Sequence, residues 1–212
     1  MLHAGVAYPP GSSGKISAML RSLRVLALLA AALHSIPAMA IEEPAYTVVE
    51  TATPFEIRDY GSYVVAETLL DGPFEGVGNE AFQRLFGYIS GNNRGAEKIP
   101  MTAPVEQQRA GNRWRVAFVL PASFTLATAP LPTDNRVTLA EVPPRRVALV
   151  RYRGVWSEAR YDEELALLRR FIAERALRET GEPVFARYDP PFMPWFLRRN
   201  EIHIPVGSPT AR

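Results

Sequence analysis

Phe55-Glu56-Ile57-Arg58-Asp59-Tyr60-Gly61-Ser62-Tyr63-Val64-Val65-Ala66-Glu67-Thr68-Leu69 is the stretch on which the fold turns. Phe55 to Tyr60 and Tyr63 to Leu69 read as two strands joined near Gly61-Ser62, and Asp71-Gly72-Pro73 stops the second. The period then changes. From Gly76 to Ser90 the apolar residues Val77, Ala81, Phe82, Leu85, Phe86 and Ile89 recur at helical spacing, and Gly91-Asn92 ends the run. Strand, strand, helix is therefore the opening unit, and Ile41 to Thr53 reads as a short lead-in.

Downstream, the prolines of Ile99-Pro100-Met101-Thr102-Ala103-Pro104-Val105 hold the chain extended. A hairpin turns at Ala110-Gly111-Asn112. In its return strand Trp114, Val116, Phe118 and Leu120 alternate with Arg113, Arg115, Ala117 and Val119, the pattern of a half-buried strand. The whole series then recurs. Val137 to Glu141 and Val147 to Tyr152 are strands around Pro143-Pro144, and Gly154-Val155-Trp156 echoes Gly72-Pro73-Phe74. Tyr161 to Arg178 is a helix with Tyr161, Leu165, Leu168 and Ile172 inward. Its wet face holds Glu163, Glu164, Arg170, Glu174 and Arg178. Val184 to Tyr188 and Asn200 to Val206 are the last strands, split by the loop Asp189 to Trp195. The second helix lies about 83 residues after the first. The expected architecture is α+β: two strand-strand-helix-strand-strand units, at about 46–125 and 135–206, sharing one curved sheet or barrel with both helices outside.

The first 40 residues read differently. Arg21 and Arg24 precede the apolar run Val25 to Leu33, followed by Ala38-Met39-Ala40. This is the order of a secretory signal cleaved after Ala40, with Met19 a possible true start. The expected compartment is periplasmic or secreted, with no stable membrane span after cleavage. Of the 24 cations, Lys15, Arg21 and Arg24 lie in this segment, leaving 21 against 22 anions. A nearly neutral mature chain argues against a nucleic-acid-binding face.

The inventory for chemistry is short. The chain has no cysteine, which excludes disulfides, thiolate metal sites, covalent c-type haem and a cysteine nucleophile. Of three histidines only His203 lies beyond residue 40. No H-E-x-x-H, G-x-S-x-G, P-loop or G-x-G-x-x-G occurs, so catalysis is not expected. In Glu201-Ile202-His203-Ile204-Pro205 the isoleucines face one way and His203 the other, which makes it a surface residue or, less simply, an axial ligand. The apolar surplus is more telling. Phe82, Phe86 and Tyr88 join Leu85 and Ile89 on the first helix, and the late loop adds Phe192, Met193, Trp195 and Phe196. An apolar cleft between helix and loop would suit a large, flat ligand.

At these residues the sequence resembles the SOUL haem-binding family. The shared stretches are Phe55-Glu56-Ile57-Arg58-Asp59-Tyr60, Ile99 to Val105, Val147 to Gly154, Tyr188-Asp189-Pro190-Pro191 and Arg198-Arg199-Asn200-Glu201-Ile202. The resemblance implies a distorted barrel flanked by two helices, binding haem or free porphyrin without a known reaction. It also implies a pocket of Phe82, Leu85, Phe86 and Met193. Some members set cations beside that pocket; here the matching positions are Asn79, Gly87 and Met193, and Arg84 and Arg198 are the candidates to stand in. His203 stands where the family usually has tryptophan. The expected role is an exported tetrapyrrole carrier or buffer. A general module for hydrophobic small molecules and an envelope protein-interaction module are the alternatives.

Overall fold

The computed structural model describes residues 41–207. The expected signal, its cleavage point and Met19 lie outside the described residues. Ten strands and two helices follow in the order β1 (Tyr46–Ala52), β2 (Phe55–Tyr60), β3 (Tyr63–Leu70), α1 (Val77–Ile89), β4 (Val105–Ala110), β5 (Arg113–Val119), β6 (Val137–Val142), β7 (Arg145–Arg153), α2 (Glu158–Glu174), β8 (Arg178–Glu179), β9 (Val184–Arg187) and β10 (Arg199–Gly207).

Nine strands form one antiparallel, curled half-barrel in the order β1-β2-β7-β10-β9-β4-β5-β3-β6, with β8 attached to β10. Leaving out β1, this order is a palindrome. Exchanging β2 with β6, β3 with β7, β4 with β9 and β5 with β10 returns the same sheet reversed. The two halves meet at β4 and β9, where Val105 pairs with Arg187 and Gln108 with Val184. Each half also lends its first strand to the other: β2 pairs with β7 and β6 with β3. The repeated pattern therefore folds as one sheet, with α+β architecture and both helices on the same side.

Three differences from the sequence reading have physical causes. The lead-in is a strand: β1 pairs with β2 from Tyr46 opposite Tyr60 to Ala52 opposite Phe55. Its side chains are mostly exposed, so it carries no apolar alternation, and its pairing with β2, helped by Tyr46 against Tyr60 and Glu50 against Arg175, defines it. The strand β5 is buried on both sides, because the sheet curls over the face that holds Ala117 and Val119. Helix α2 runs Glu158–Glu174 instead of Tyr161 to Arg178. Ser157 caps it early by accepting from the Arg160 amide at 3.3 Å, and Ala176 (φ 53°) breaks it before Arg178, which enters β8. Glu164, expected on the wet face, is buried and ion-paired with Arg160; burial raises its pKa.

The main core lies between sheet and helices. Phe74 is its hub, with ring centroids 5.3 Å from Trp114, 5.6 Å from Tyr161 and 5.3 Å from Phe185. Helix α1 adds Val77, Ala81, Leu85, Tyr88 and Ile89, all buried; Tyr88 Oη donates to the Pro130 carbonyl at 2.9 Å.

Candidate functional site

Beside the buried stripe of α1 runs a second one at four-residue spacing: Gly78, Phe82 and Phe86. Neighbours at this spacing stack along a helix, about 6 Å apart. Phe82 is 37% and Phe86 47% exposed. Their rings are nearly parallel, 11° apart with centroids at 5.6 Å, and Phe118 meets Phe82 edge-on at 5.4 Å. The result is a firm aromatic ledge open to solvent. Leu85, grouped with these two by the sequence, is fully buried in the core and closed to a ligand.

The late loop carries the other exposed aromatic group. Phe192, Trp195 and Phe196 are more than half exposed, and Met193 is half-buried. Arg198 braces this loop from within: its Nε donates to the Met193 carbonyl at 2.8 Å and its Nη2 to the Pro191 carbonyl at 2.5 Å. The same guanidinium lies over the Trp156 ring at 4.6 Å, and Trp156 Nε1 donates to Asn200 Oδ1 at 2.8 Å. Arg198 is thereby a structural clamp. The link from loop to ledge runs through Trp156 to Arg187, 5.2 Å from that ring, and on to Gly78.

Arg84 is also committed. It pairs with Glu80 and donates to Thr68 Oγ1 at 3.2 Å. Two residues on from Phe82, it projects about 160° away around the helix. There it lines a cavity of about 320 Å³ with Tyr88, Asp134 and Arg136, the last two paired at 2.7 Å. A Cβ at Gly87 would lie 2.9 Å from Nδ2 of the exposed Asn92 side chain, which would have to turn aside.

His203 does not face solvent. It is 4% exposed, on the sheet face away from the helices, with its ring 5.9 Å from Tyr60. Its Nε2 lies 2.8 Å from Glu201 Oε2. Glu201, itself fully buried, also accepts from Arg58 Nη1 at 3.0 Å, Arg151 Nε at 2.9 Å, Arg199 Nη2 at 3.0 Å and Tyr188 Oη at 3.0 Å. Burial alone would raise its pKa, but His203, Arg58 and Arg199 together hold it well below the usual carboxylate range. The cluster fills the concave side of the half-barrel. Ile202 and Ile204 occupy the helix side, so His203 is separated from the aromatic ledge by the sheet itself.

The residue the sequence reading missed is Arg187. Its Nη2 donates to Gln107 Oε1 at 2.7 Å, and its guanidinium carbon stands 4.9–5.6 Å from the rings of Phe74, Trp156 and Phe185. Its Nε is buried without a partner, as is Tyr152 Oη. Burial pushes its pKa down to about 10. Strand periodicity held the signal: Arg187 shares the inward face of β9 with Phe185, where a cation is out of place. Among the described residues, no helix is long and apolar enough to cross a membrane, and no group of three or more His, Cys, Asp or Glu is placed to hold a metal.

Fold and ledge define a class: small α+β half-barrels with two pseudo-symmetric halves and an apolar surface on the first helix. The model of the SOUL heme-binding protein family matches residues 41–205, and the chain belongs to that family. Heme-binding protein 1 of Xenopus tropicalis is 28% identical over 156 residues, covering 70% of this chain and 81% of that protein. Its counterpart from Sus scrofa is 26% identical over 149 residues, covering 67% and 77%. Two solved structures share the fold alone. The EcmrR C-terminal domain has a TM-score of 0.57 at 12% identity, covering 76% of this chain and 98% of that one. A hydrolase from Listeria innocua has a TM-score of 0.54 at 13% identity, covering 80% and 94%.

Proposed function

We propose that this chain is a non-catalytic binder of haem or another tetrapyrrole, exported as a periplasmic or secreted carrier or buffer. The observation that carries the reading is the pair Phe82 and Phe86, nearly parallel and half-exposed on the first helix of a chain whose family is defined by haem binding. A flat apolar ring system suits that ledge: Phe82 and Phe86 would hold its face, with the Met193 loop as the rim. Binding is favoured over catalysis because the polar residues that the sequence singled out are each held by a neighbour. Arg84 is held by Glu80, Arg198 by loop carbonyls, and His203 by Glu201 behind the sheet.

Titrating hemin into the protein should shift the Soret band and saturate, and Phe82→Asp should weaken it. An unchanged spectrum at concentrations on the order of tens of micromolar would remove the proposal. Export is tested separately: antibody detection should find the protein outside the cytoplasmic fraction of its native host. A protein-interaction role draws on Phe192, Trp195 and Phe196, exposed by 85%, 59% and 55%. Ligand-independent co-purification of one partner, lost on Trp195→Ser, would favour it.

A further inference from the structure

We propose that Arg187, Tyr152 and the first turn of α1 form a subsite for a carboxylate borne by the bound ring system. The inference rests on the ring-binding reading above and adds its polar anchor.

Arg187 Nη1 lies 3.2 Å from where a Gly78 Cβ would stand, at the N-terminal end of the stripe that continues through Phe82 and Phe86. One cation thus sits in line with the aromatic ledge. Among the described residues it forms no ion pair. Glu75 acts on it only through space, because that carboxylate accepts from the Glu158 amide at 3.0 Å. Two buried polar atoms on this side, Arg187 Nε and Tyr152 Oη, have no partner. Buried donors without acceptors are costly, and both would be satisfied by a carboxylate, which only accepts. The helix contributes too. The Gly76 and Val77 amides are taken by the Pro73 carbonyl at 3.1 and 3.3 Å, and no side chain caps the turn, so the positive end of the helix dipole adds to the field beside Gly78. Gly78, lacking a side chain, leaves the approach open. Arg84 Nε is also without a partner, but Arg84 is ion-paired with Glu80 and projects to the other side of α1 beside Asp134, and Arg198 is held by two carbonyls.

The test compares protoporphyrin IX with its dimethyl ester, which keeps the ring and removes both charges. Binding is read by absorbance in the full chain, in Arg187→Gln and in Gly78→Asp. The wild-type chain should bind the acid roughly ten-fold or more tighter than the ester, the scale of one charge-assisted hydrogen-bonded pair. Arg187→Gln should abolish that preference, the acid losing roughly ten-fold more affinity than the ester. Gly78→Asp places an internal carboxylate beside Arg187 and should selectively weaken the acid, so the result does not depend on Arg187→Gln folding well. Equal binding of acid and ester by the wild-type chain overturns the subsite and leaves ring binding intact, as does a preference that survives both substitutions. If neither compound binds, the ring-binding reading fails, and propionate alone decides the subsite. Saturable movement of the Arg187 Nε–Hε resonance, absent in Gly78→Asp, would uphold it; a static resonance would overturn it.

Discussion

Replacing Phe86 by alanine separates ligand surface from core at neighbouring positions. Phe86 exposes 47% and Phe82 37% of its surface. With roughly 200 Å² per phenylalanine, covering them would remove about 95 and 75 Å² from water. At roughly 25 cal/mol per Å² that is about 2 kcal/mol each. Phe86→Ala should therefore weaken hemin binding about 30-fold. Its own stability should fall by only about 1 kcal/mol, mostly the lost ring pairing with Phe82. Leu85→Ala should do the reverse. Leu85 is fully buried, so its removal leaves a cavity and costs about 2–5 kcal/mol, while hemin affinity of the folded protein stays within about three-fold. Soret titrations and urea melts of both variants give the four numbers. If Phe86→Ala binds hemin as tightly as the wild-type chain, the ledge is not the site. The same conclusion follows if Leu85→Ala is the weaker binder when matched for folded fraction.

Three other outcomes are expected. Glu201→Gln leaves Arg58, Arg151 and Arg199 facing an uncharged amide, and urea melts should show a loss of about 3–5 kcal/mol. Because the folded pKa of Glu201 is depressed, its contribution is present above the unfolded value of about 4.3 and is lost as pH falls below it, so acid melts of Glu201→Gln should show a shallower slope than wild type. His203→Ala should cost about 1 kcal/mol or more in melts, yet leave the Soret maximum of the hemin-loaded protein unchanged; a shifted maximum would make His203 a ligand after all. Gly87→Lys should leave stability within about 1 kcal/mol of wild type, because the new Cβ meets only the end of the exposed Asn92 side chain, which can turn aside, and loss of a helical glycine offsets the adjustment; a larger loss in circular dichroism melts would show that Asn92 is fixed.

What could be read in the sequence was whatever leaves a period. Helix α1 was found within one residue at each end because its buried residues recur every three or four positions and glycine follows it. The half-barrel followed from the recurrence of the whole pattern. Features fixed by distant contacts left no such trace. β1 is a strand by pairing, not by burial. His203 and Glu201 occupy alternate positions that look solvent-facing, and only the curl of the sheet brings Arg58, from 143 residues earlier, against them. Leu85 and Phe86 are indistinguishable by hydrophobicity; the turn of the helix sends one into the core and leaves the other half out. Arg187 was legible in principle, as a cation in an apolar register, but its lack of a counter-ion is a three-dimensional fact.

The frame is symmetric and the site is not. Superposing the two helices by burial sets Ala81 on Glu164, Leu85 on Leu168, Tyr88 on Phe171 and Ile89 on Ile172, an offset of 83 residues each time. The same offset carries Gly78 to Tyr161, Phe82 to Leu165 and Phe86 to Arg169. Tyr161 is buried against Phe74, Leu165 is half-buried against the core, and Arg169 donates to Glu179 at 3.2 Å. The second helix thus has a bulky ring where the first has an opening, and a cation where the first has an aromatic face. A charged guanidinium engaged with a carboxylate is a poor surface for a flat apolar ring, since covering it removes water from an ion pair. Two ledges would be expected from the fold alone; one is expected from the side chains. A hemin titration should therefore saturate at about one equivalent per chain, with a single inflection that Phe86→Ala moves to higher hemin concentration and Arg169→Ala leaves in place. Two equal equivalents would mean that the fold's symmetry, and not the stripe on α1, creates the site.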